Sequence, residues 1–304
     1  MKFTRHSAFT LAEVLVASAV SAVVGLGLVS FSWASARLAA RNLAYNHGHD
    51  AMLIAENRLL HDLQDSGSIF TLVDFNGTTY ADSTVTITGD VDPLSGQYLS
   101  SRSNSVRFWK PAGGPAKLTA STVATDTALT FDFGPLVTGA LPYVPAVNDK
   151  VWLPLVNKEF QITAIVTAPT TSSTIGTIQI ANQANTGVGY TLSTASPNVT
   201  TGQFFRQVGY SIYNNTLRYH PNFSGSNQTS FLMARNNVTS PKPFAVLYPT
   251  SSSSSSPRLD LRISLESYDL NYSNMQFPNG AATLQTVISV RNQPPFVSAL
   301  LTPL

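Results

Sequence analysis

A run of twenty residues without a formal charge, 14–33, constrains this chain more than any other feature. As an α-helix the run would measure about 30 Å, which matches the hydrocarbon thickness of a bilayer. Glu13 stands directly before the run, where an unpaired acid would cost about 2 to 3 kcal/mol in a membrane. The run therefore predicts a membrane-spanning helix, and Glu13 predicts a partner of opposite charge in the assembled state.

The residues around Glu13 form a recognisable motif. Segment 7–13 reads Ser-Ala-Phe-Thr-Leu-Ala-Glu and follows a short basic stretch. It resembles the prepilin N-terminus that type IV pilins share with the pseudopilins of type II secretion. The resemblance implies a leader, 1–8, cleavage between Ala8 and Phe9 by a prepilin peptidase, and methylation of the new Phe9 amine. It also implies that Glu13 forms a salt bridge with the N-terminus of a neighbouring subunit.

One alternative concerns how the N-terminus is processed. Ala8 stands where the family usually has Gly before the cut. Residues 34–36, Ala-Ser-Ala, have the A-x-A form that signal peptidase prefers, so the run could be an ordinary secretory signal. However, the run is longer than the usual apolar region of about 7 to 15 residues, and an acid near its start is unfavourable in a signal peptide. The prepilin interpretation is therefore the stronger of the two.

The charge distribution gives no support for a nucleic-acid partner. The chain carries 18 Lys and Arg against 16 Asp and Glu. Loss of 1–8 would remove Lys2 and Arg5 and leave 16 basic against 16 acidic residues, so the charges of the mature side chains balance.

The charges that flank the membrane run do not determine its orientation, because Lys2 and Arg5 on one side match Arg37 and Arg41 on the other. The cytoplasmic position of the leader therefore rests on the resemblance.

The composition predicts an extracytoplasmic domain that is held together by its core. Charged residues make up only 11% of the chain, which suits exposed β-structure outside the cytoplasm. The chain has no cysteine, so no disulfide can form even in an oxidising compartment. More than 200 residues follow the helix, which is enough to bury a core.

The helix is predicted to continue beyond the membrane as an amphipathic segment, 37–66, with a stop at Ser-Gly-Ser, 66–68. Apolar residues recur there at helical spacing, so one face is expected to lie on a sheet. The predicted stripe comprises Met52, Ala55, Leu59 and Leu63, widened by Leu53 and Leu60. The residues expected to face water are Asn57, His61 and Gln64. Glu56 falls within the stripe, where we expect it to reach solvent or to pair with an Arg.

Beyond residue 67 the apolar period changes to two, which predicts strands. The predicted strands are 85–88, 106–109, 129–133, 151–155, 160–166, 175–180, 204–213, 216–220, 259–270 and 284–290. Asn214 and Asn215 are expected to form a two-residue hairpin connection, because Asn tolerates positive φ. Segment 286–292 ends in Val-Arg-Asn and resembles the closing strand of J-type (PilW-like) minor pilins.

Two further segments differ from their surroundings in composition. Segment 120–200 is rich in Thr and Pro, and we interpret it as a β-rich insertion that projects from a pilin-like scaffold, with a small barrel as one form. Segment 251–256 consists of six Ser and predicts a polar loop. Trp109 and Trp152 are expected to be core or barrel residues rather than a sugar platform.

No pattern of catalytic residues is found. His47, His49 and Asp50 resemble a metal motif, but helical residues two apart point away from each other. Asp90 and Asp92 fall in a predicted loop and could offer oxygens to calcium, although the further carboxylates of such a site are missing. The sequence also lacks a phosphate-binding loop, a serine-hydrolase elbow and a zinc-protease motif. We therefore predict that the protein is not an enzyme and holds no metal or cofactor.

These inferences predict an α+β fold of pilin-like form. Its long N-terminal helix, transmembrane over 9–36 and amphipathic over 37–66, would pack on the antiparallel sheet of an extracytoplasmic β-rich domain, 67–304. The resemblance implies a minor pilin or pseudopilin that initiates or caps a type IV pilus or a type II secretion pseudopilus. Its location would be the bacterial inner membrane, crossed once, with the globular domain in the periplasm and later in the filament.

The resemblance also implies the partners of such a subunit. These would be the prepilin peptidase, other pilins or pseudopilins through the N-terminal helix, and the inner-membrane assembly platform. A minor subunit is favoured over a major one, because a large insertion would be hard to repeat around a crowded fibre. Two alternatives stay open: a pilus-tip adhesin or ligand-binding module on a pilin stem, and a bitopic envelope protein outside any filament.

Overall fold

The computed structural model describes most of the chain. The described residues are 10–64, 66, 70–123, 126–134, 143–156, 158–181, 201–214, 216–223, 230–234, 242–249, 260–267 and 282–289. Several predicted features lie outside them: the leader 1–8, the cleavage site at Ala8 and Phe9, the Ser-rich loop 251–256 and the Val-Arg-Asn segment 290–292.

The N-terminal helix α1, Leu11–Gln64, runs without interruption for 54 residues. Gly25 and Gly27 lie inside it, and a Cβ atom added at either would meet open space. Each Gly costs about 1 kcal/mol relative to Ala but does not break a helix. At the other end the Ser66 amide donates to the Leu63 carbonyl, so α1 ends beside the stop that the sequence predicts.

Sixteen strands follow α1 in the described part of the chain. They are β1 (Thr71–Phe75), β2 (Tyr80–Asp82), β3 (Ile87–Val91), β4 (Tyr98–Ser100), β5 (Ser105–Pro111), β6 (Ala116–Leu118), β7 (Ala128–Asp132), β8 (Lys150–Leu153), β9 (Lys158–Thr167), β10 (Ile175–Ile180), β11 (Thr201–Tyr213), β12 (Thr216–His220), β13 (Phe231–Ala234), β14 (Phe244–Tyr248), β15 (Asp260–Ser267) and β16 (Ala282–Ser289).

The strands form two antiparallel sheets, so the chain has an α+β fold. The larger sheet has the order β2-β1-β5-β11-β6-β7-β10-β9-β8, with β12 beside β11 and β13 beside β12. The smaller sheet has the order β16-β15-β14-β4-β3. A bridge between Ser103 and Phe244 links the two sheets, and α1 lies against β16, β15 and β13.

The end of α1 and both sheets share the main hydrophobic core. The helix contributes Ala55, Leu59 and Leu63, all fully buried. The remaining buried members are Phe70, Leu72, Val106, Phe108, Val208, Tyr210, Ile212, Leu217, Phe244, Val246, Tyr248, Leu261, Ile263, Leu265 and Ile288. The prediction that this face of the helix lies on a sheet is therefore confirmed.

The predicted width of the helical stripe is only partly right. Leu60 packs against the core, as expected. Leu53 is 44% exposed, so its assignment to the buried face is wrong. The reason is geometric, because two residues turn an α-helix by about 200° and place Leu53 nearly opposite Ala55. The buried face also contains Asp62, which the sequence did not single out.

Six strands close into a small antiparallel barrel. The strand order around the barrel is β6-β7-β10-β9-β8. The first part of β11 completes it, because it pairs with β6 on one edge and with β8 on the other. The barrel encloses a second core made of Ala116, Leu118, Leu129, Phe131, Phe133, Val151, Leu153, Phe160, Ile162, Ile178, Ile180 and Phe204. The predicted insertion, 120–200, covers β7 to β10, whereas the barrel also uses β6 and the start of β11.

Two local strand predictions have different outcomes. The hairpin is confirmed, because Tyr213 of β11 pairs with Thr216 of β12 and Asn214 has a φ of 48°. The strand predicted at 85–88 is displaced, since β3 begins at Ile87. Asp90 therefore lies in a strand and not in a loop.

Candidate functional site

The first part of α1 is the most unusual surface of the molecule. The segment Leu11–Leu43 is long and apolar enough to cross a membrane, and its apolar window has no buried residue. Bulky side chains such as Phe31 and Trp33 are 73% and 68% exposed. Such a surface is unfavourable in water and requires cover by lipid or by protein. The segment thus has the properties of an N-terminal membrane anchor or a signal sequence.

Glu13 lies at the start of this segment and closes a capping box. The Thr10 amide and hydroxyl donate to Glu13 Oε2 at 2.9 and 3.1 Å, and the Glu13 amide donates to the Thr10 hydroxyl at 3.3 Å. This reciprocal pair satisfies donors that every helix start leaves open. A carboxylate at this position also interacts favourably with the helix dipole.

The capping box leaves Glu13 able to bind a further donor. The hydrogen bonds from the Thr10 amide and the Thr10 hydroxyl both go to Oε2, and within the described residues Oε1 accepts none. Phe9, whose amine the resemblance assigns to the salt bridge, lies outside the described residues, as does Ala8. The Ser/Thr-x-x-Glu signal of a capping box was readable in the sequence but was missed, because the resemblance had given Glu13 another role.

At the far end of the helix, Asp62 forms a second polar site against the larger sheet. Its side chain is only 8% exposed. Lys110 Nζ on β5 donates to Oδ1 at 2.6 Å, and the Tyr210 hydroxyl on β11 donates to Oδ2 at 2.6 Å. Arg58, one turn earlier, lies 4.0 Å from Oδ2. The carboxylate therefore connects the helix to two strands of the sheet.

The electrostatics of this site favour the ionised acid. Burial alone would raise the pKa of Asp62, but the hydrogen bonds from Lys110 and Tyr210 outweigh it and hold that pKa below its ordinary value. Burial and the adjacent carboxylate raise the pKa of Tyr210, which stays a neutral donor. Arg58 stacks on the Tyr219 ring at 5.2 Å and adds positive charge beside the acid.

A third polar cluster fixes a loop of the barrel to the shared strand β11. Asp149 is almost fully buried and accepts from Arg206 Nη2 at 2.8 Å and from the Ala146 amide at 2.8 Å. The Tyr143 hydroxyl also donates to Asp149. Burial and the Asp149 charge raise the pKa of Tyr143. All these groups have partners, so the cluster is a structural connection.

The residues considered for metal binding do not come together. His49 and Asp50 are exposed on α1, and the side chain of His47 lies outside the described part. Asp92 is buried and paired with Arg262, whose Nε lies 2.8 Å from Oδ1. The guanidinium thus pairs with one Asp92 oxygen, and the Leu94 and Ser95 amides donate to the other. Within the described ranges, no three His, Asp or Glu side chains are grouped as metal ligands.

A buried Ser–His pair exists, but its surroundings do not suit catalysis. Ser211 Oγ lies 2.6 Å from His220 Nε2, and neither residue is exposed. The rings of Phe75 and Phe223 lie 5.1 and 4.6 Å from the imidazole. Burial, with a smaller contribution from the Arg218 charge, lowers the pKa of His220 to about 4. A substrate cannot reach this hydroxyl, so the pair belongs to the packing of β11 on β12.

Trp109 and Trp152 lie beside β11, where the barrel strands join the rest of the larger sheet. Trp109 is 8% exposed and packs with Phe205, and Trp152 packs against them while half-buried. Lys150 Nζ lies 4.8 Å from the centre of the Trp109 ring and 3.0 Å from Glu159 Oε1. The expectation that Trp109 is a core residue is confirmed.

Comparison with known proteins adds no assignment. Neither a scan of protein-family models nor searches of curated proteins and solved structures find a match to this chain.

Proposed function

We propose that this chain is a minor pilin or pseudopilin, a structural subunit that initiates or caps a type IV pilus or a type II secretion pseudopilus. The observation that carries the proposal is the continuity of α1. One helix exposes a membrane-length apolar surface at its start and buries its last turns in the core of a β-rich domain. This is the form required of a subunit that is stored in a membrane and then moved as a rod into an apolar filament centre.

The proposed assembly step exchanges lipid for protein around the helix. The helix can leave the bilayer only if neighbouring helices cover Leu11–Leu43, because exposure of this apolar surface to water is unfavourable. The methylated Phe9 amine of one subunit would meet Glu13 of another, and each charge would offset the burial cost of the other. A misregistered subunit would leave a carboxylate unpaired, which makes the pair selective for one axial position. Oε1 of Glu13 accepts no hydrogen bond from the described residues, which is compatible with this second partner.

The large β domain supports a subunit present in few copies. The barrel adds a second core beside the main one, and such bulk would crowd neighbours if repeated along a fibre. The proposed partners are the prepilin peptidase, other pilins or pseudopilins along α1, and the inner-membrane assembly platform. The proposed location is the bacterial inner membrane with the β domain in the periplasm, followed by the filament.

Mass spectrometry of the N-terminus tests the proposal most directly. Protein recovered from its host should begin with methylated Phe9. A chain that still begins at Met1 would support a bitopic envelope protein, and one that begins at Arg37 would support a secretory signal. Either result would overturn the proposal, because no cationic chain end would then stand four residues before Glu13.

Substitutions at the helix start separate the charge of Glu13 from its capping role. Glu13→Gln keeps a side chain that can close the capping box, whereas Thr10→Ala removes the cap and keeps the charge. We expect Glu13→Gln and Glu13→Ala each to lower incorporation into filaments at least about tenfold, since an unpaired buried charge costs about 3 kcal/mol or more. Thr10→Ala should stay close to wild type.

The measurement is the amount of subunit in sheared filaments relative to processed subunit in the membrane. Normal incorporation of Glu13→Gln would contradict the salt bridge. Equal losses in Thr10→Ala and Glu13→Gln would assign the effect to the helix start and not to the charge. Both variants must be cleaved at Ala8 like the wild type for the comparison to hold.

A tip-carried binding module is the second candidate, and the closed barrel is the observation that favours it. Lys110 of β5 and Arg206 of β11 form a directly opposed pair, so an Asn-Gly turn can replace 111–205 and join the two strands directly. Lost attachment with normal fibres would favour the binding module, whereas lost fibres with a folded chain would favour a role in assembly.

A further inference from the structure

The apolar contacts of α1 do not by themselves fix the axial position of the helix on the sheets. The buried helix residues are Ala55, Leu59 and Leu63, which repeat every four positions. A slip of one turn would bring the residues four places earlier, Ala51, Ala55 and Leu59, to the same three sites. At these three sites the slipped helix would differ from the native one by a single Leu-to-Ala replacement, and Glu56 would take the place of the partly buried Leu60 at the edge of the core. Apolar burial alone therefore leaves a competing register.

The polar contacts at Asp62 distinguish the two registers. In the native register the carboxylate receives short hydrogen bonds from Lys110 and Tyr210. The same one-turn slip would bring Arg58 to the place of Asp62. Arg58 would then face Lys110, a second cation, in a largely buried site, and the Tyr210 hydroxyl would lose its acceptor. Repulsion between buried like charges disfavours this arrangement.

We infer that Asp62 is a positioning residue that sets the axial register of α1 on the β domain, a role separate from holding the helix there. Buried polar and ionic groups fix the register of neighbouring helices in some proteins, and a buried Asn in coiled coils is the best-attested case. The apolar side chains supply the attraction between helix and sheets, and the Asp62 contacts select one arrangement among those that the attraction allows.

The register matters for the proposed function, on which this consequence rests. Glu13 precedes Asp62 by 49 residues of one continuous helix, which spans about 74 Å. This slip of four residues would move the β domain by about 6 Å relative to Glu13. The two acids would thus act in series: Glu13 would position the helix in the filament, and Asp62 positions the β domain on the helix.

A distance measurement on the full chain in detergent tests the inference without any filament. The chain has no cysteine, so Asn57→Cys on α1 and Thr84→Cys on the β domain provide two exposed sites for spin labels. The doubly labelled chain without further substitutions should give one narrow distance distribution. The variant Asp62→Leu, Lys110→Met, Tyr210→Phe replaces the polar site by apolar groups and should fold with a similar melting temperature. Its distances should broaden or split by up to about 6 Å, which is the rise of four helical residues. A folded triple variant with the wild-type distribution would overturn the inference.

A second variant keeps the test decisive if the triple variant does not fold. Exchanging the charges, Arg58→Asp with Asp62→Arg, moves the acid one turn earlier without changing composition. The helix should then slip by four residues, and the label distance should change by up to about 6 Å. An unchanged distance would overturn the inference. Asp82→Asn, which removes an exposed ion pair with Arg107, is the control and should leave the distribution unchanged. Because no filament is involved, the Asp62 result is independent of the Glu13 result.

Discussion

At the scale of single residues, the three buried acids of the described chain are paired with cations that are distant in sequence. Asp62 meets Lys110, Asp149 meets Arg206, and Asp92 meets Arg262. The sequence identified Glu13, because an acid beside a membrane run is conspicuous, but it could not identify Asp62. A single acid within an amphipathic helix usually faces water, and only the tertiary fold brings Lys110 and Tyr210 to it.

The His220 imidazole gives a prediction about pH. Its pKa is about 4 in the folded chain against 6.5 for a free side chain, so the unfolded chain binds more protons between these values. Stability that is fully present above pH 6.5 should therefore fall as the pH drops to 4, by up to about 3 kcal/mol. Denaturant unfolding of the chain in detergent at a series of pH values measures this slope.

A His220→Phe variant should lose most of that slope while keeping the ring packing against Phe75 and Phe223. The exposed His49 provides the control, since His49→Asn should leave the slope in place. An unchanged slope in His220→Phe would show that another group titrates in this range. Stability at neutral pH should fall moderately, because Ser211 loses its partner.

At the scale of elements, the period-two apolar pattern of the sequence identifies strands that have one buried face and one exposed face. β10 is an example, because the predicted bounds 175–180 agree with those of the structure. β14 was missed since all five of its residues are buried, which leaves no alternation to detect. The other missed strands are β1, β2, β4, β6 and β13, each of three to five residues. Such short runs contain few alternations, so the pattern identifies some of them, such as β8 with four residues, and misses others.

Gly202 shows how closely the barrel strands approach one another. A Cβ atom at this position would lie 2.8 Å from the Phe131 ring and 2.9 Å from a Val151 methyl group. We expect Gly202→Ala to destabilise the barrel by about 1 to 3 kcal/mol, since both contacts belong to a closed interior. Denaturant unfolding followed by Trp152 fluorescence measures the loss. Gly25→Ala, at an open position of α1, should not destabilise the chain, and equal effects of the two changes would contradict this account.

At the scale of the whole molecule, the order of the parts could be predicted and their connections could not. An apolar helix followed by strands is visible as a change of period near residue 67, and a shift in composition marked 120–200. Closure of the barrel depends on pairing between β8 and β11, which no local pattern encodes. The same holds for β4, which pairs with β14 nearly 150 residues later. The proposed filament and partners rest on the N-terminal motif together with the continuity of α1.

The strand β11 belongs to both the barrel and the larger sheet, and this continuity determines how the molecule responds to force. Its 13 residues pair with β6 and β8 at one end and with β5 and β12 further along. Tension along the strand would strain the β5 and β12 ladders in shear, with many hydrogen bonds resisting together instead of opening one by one. A pulling force on the barrel would therefore be transmitted through β11 to the part of the β domain that packs against α1, with no flexible hinge between them.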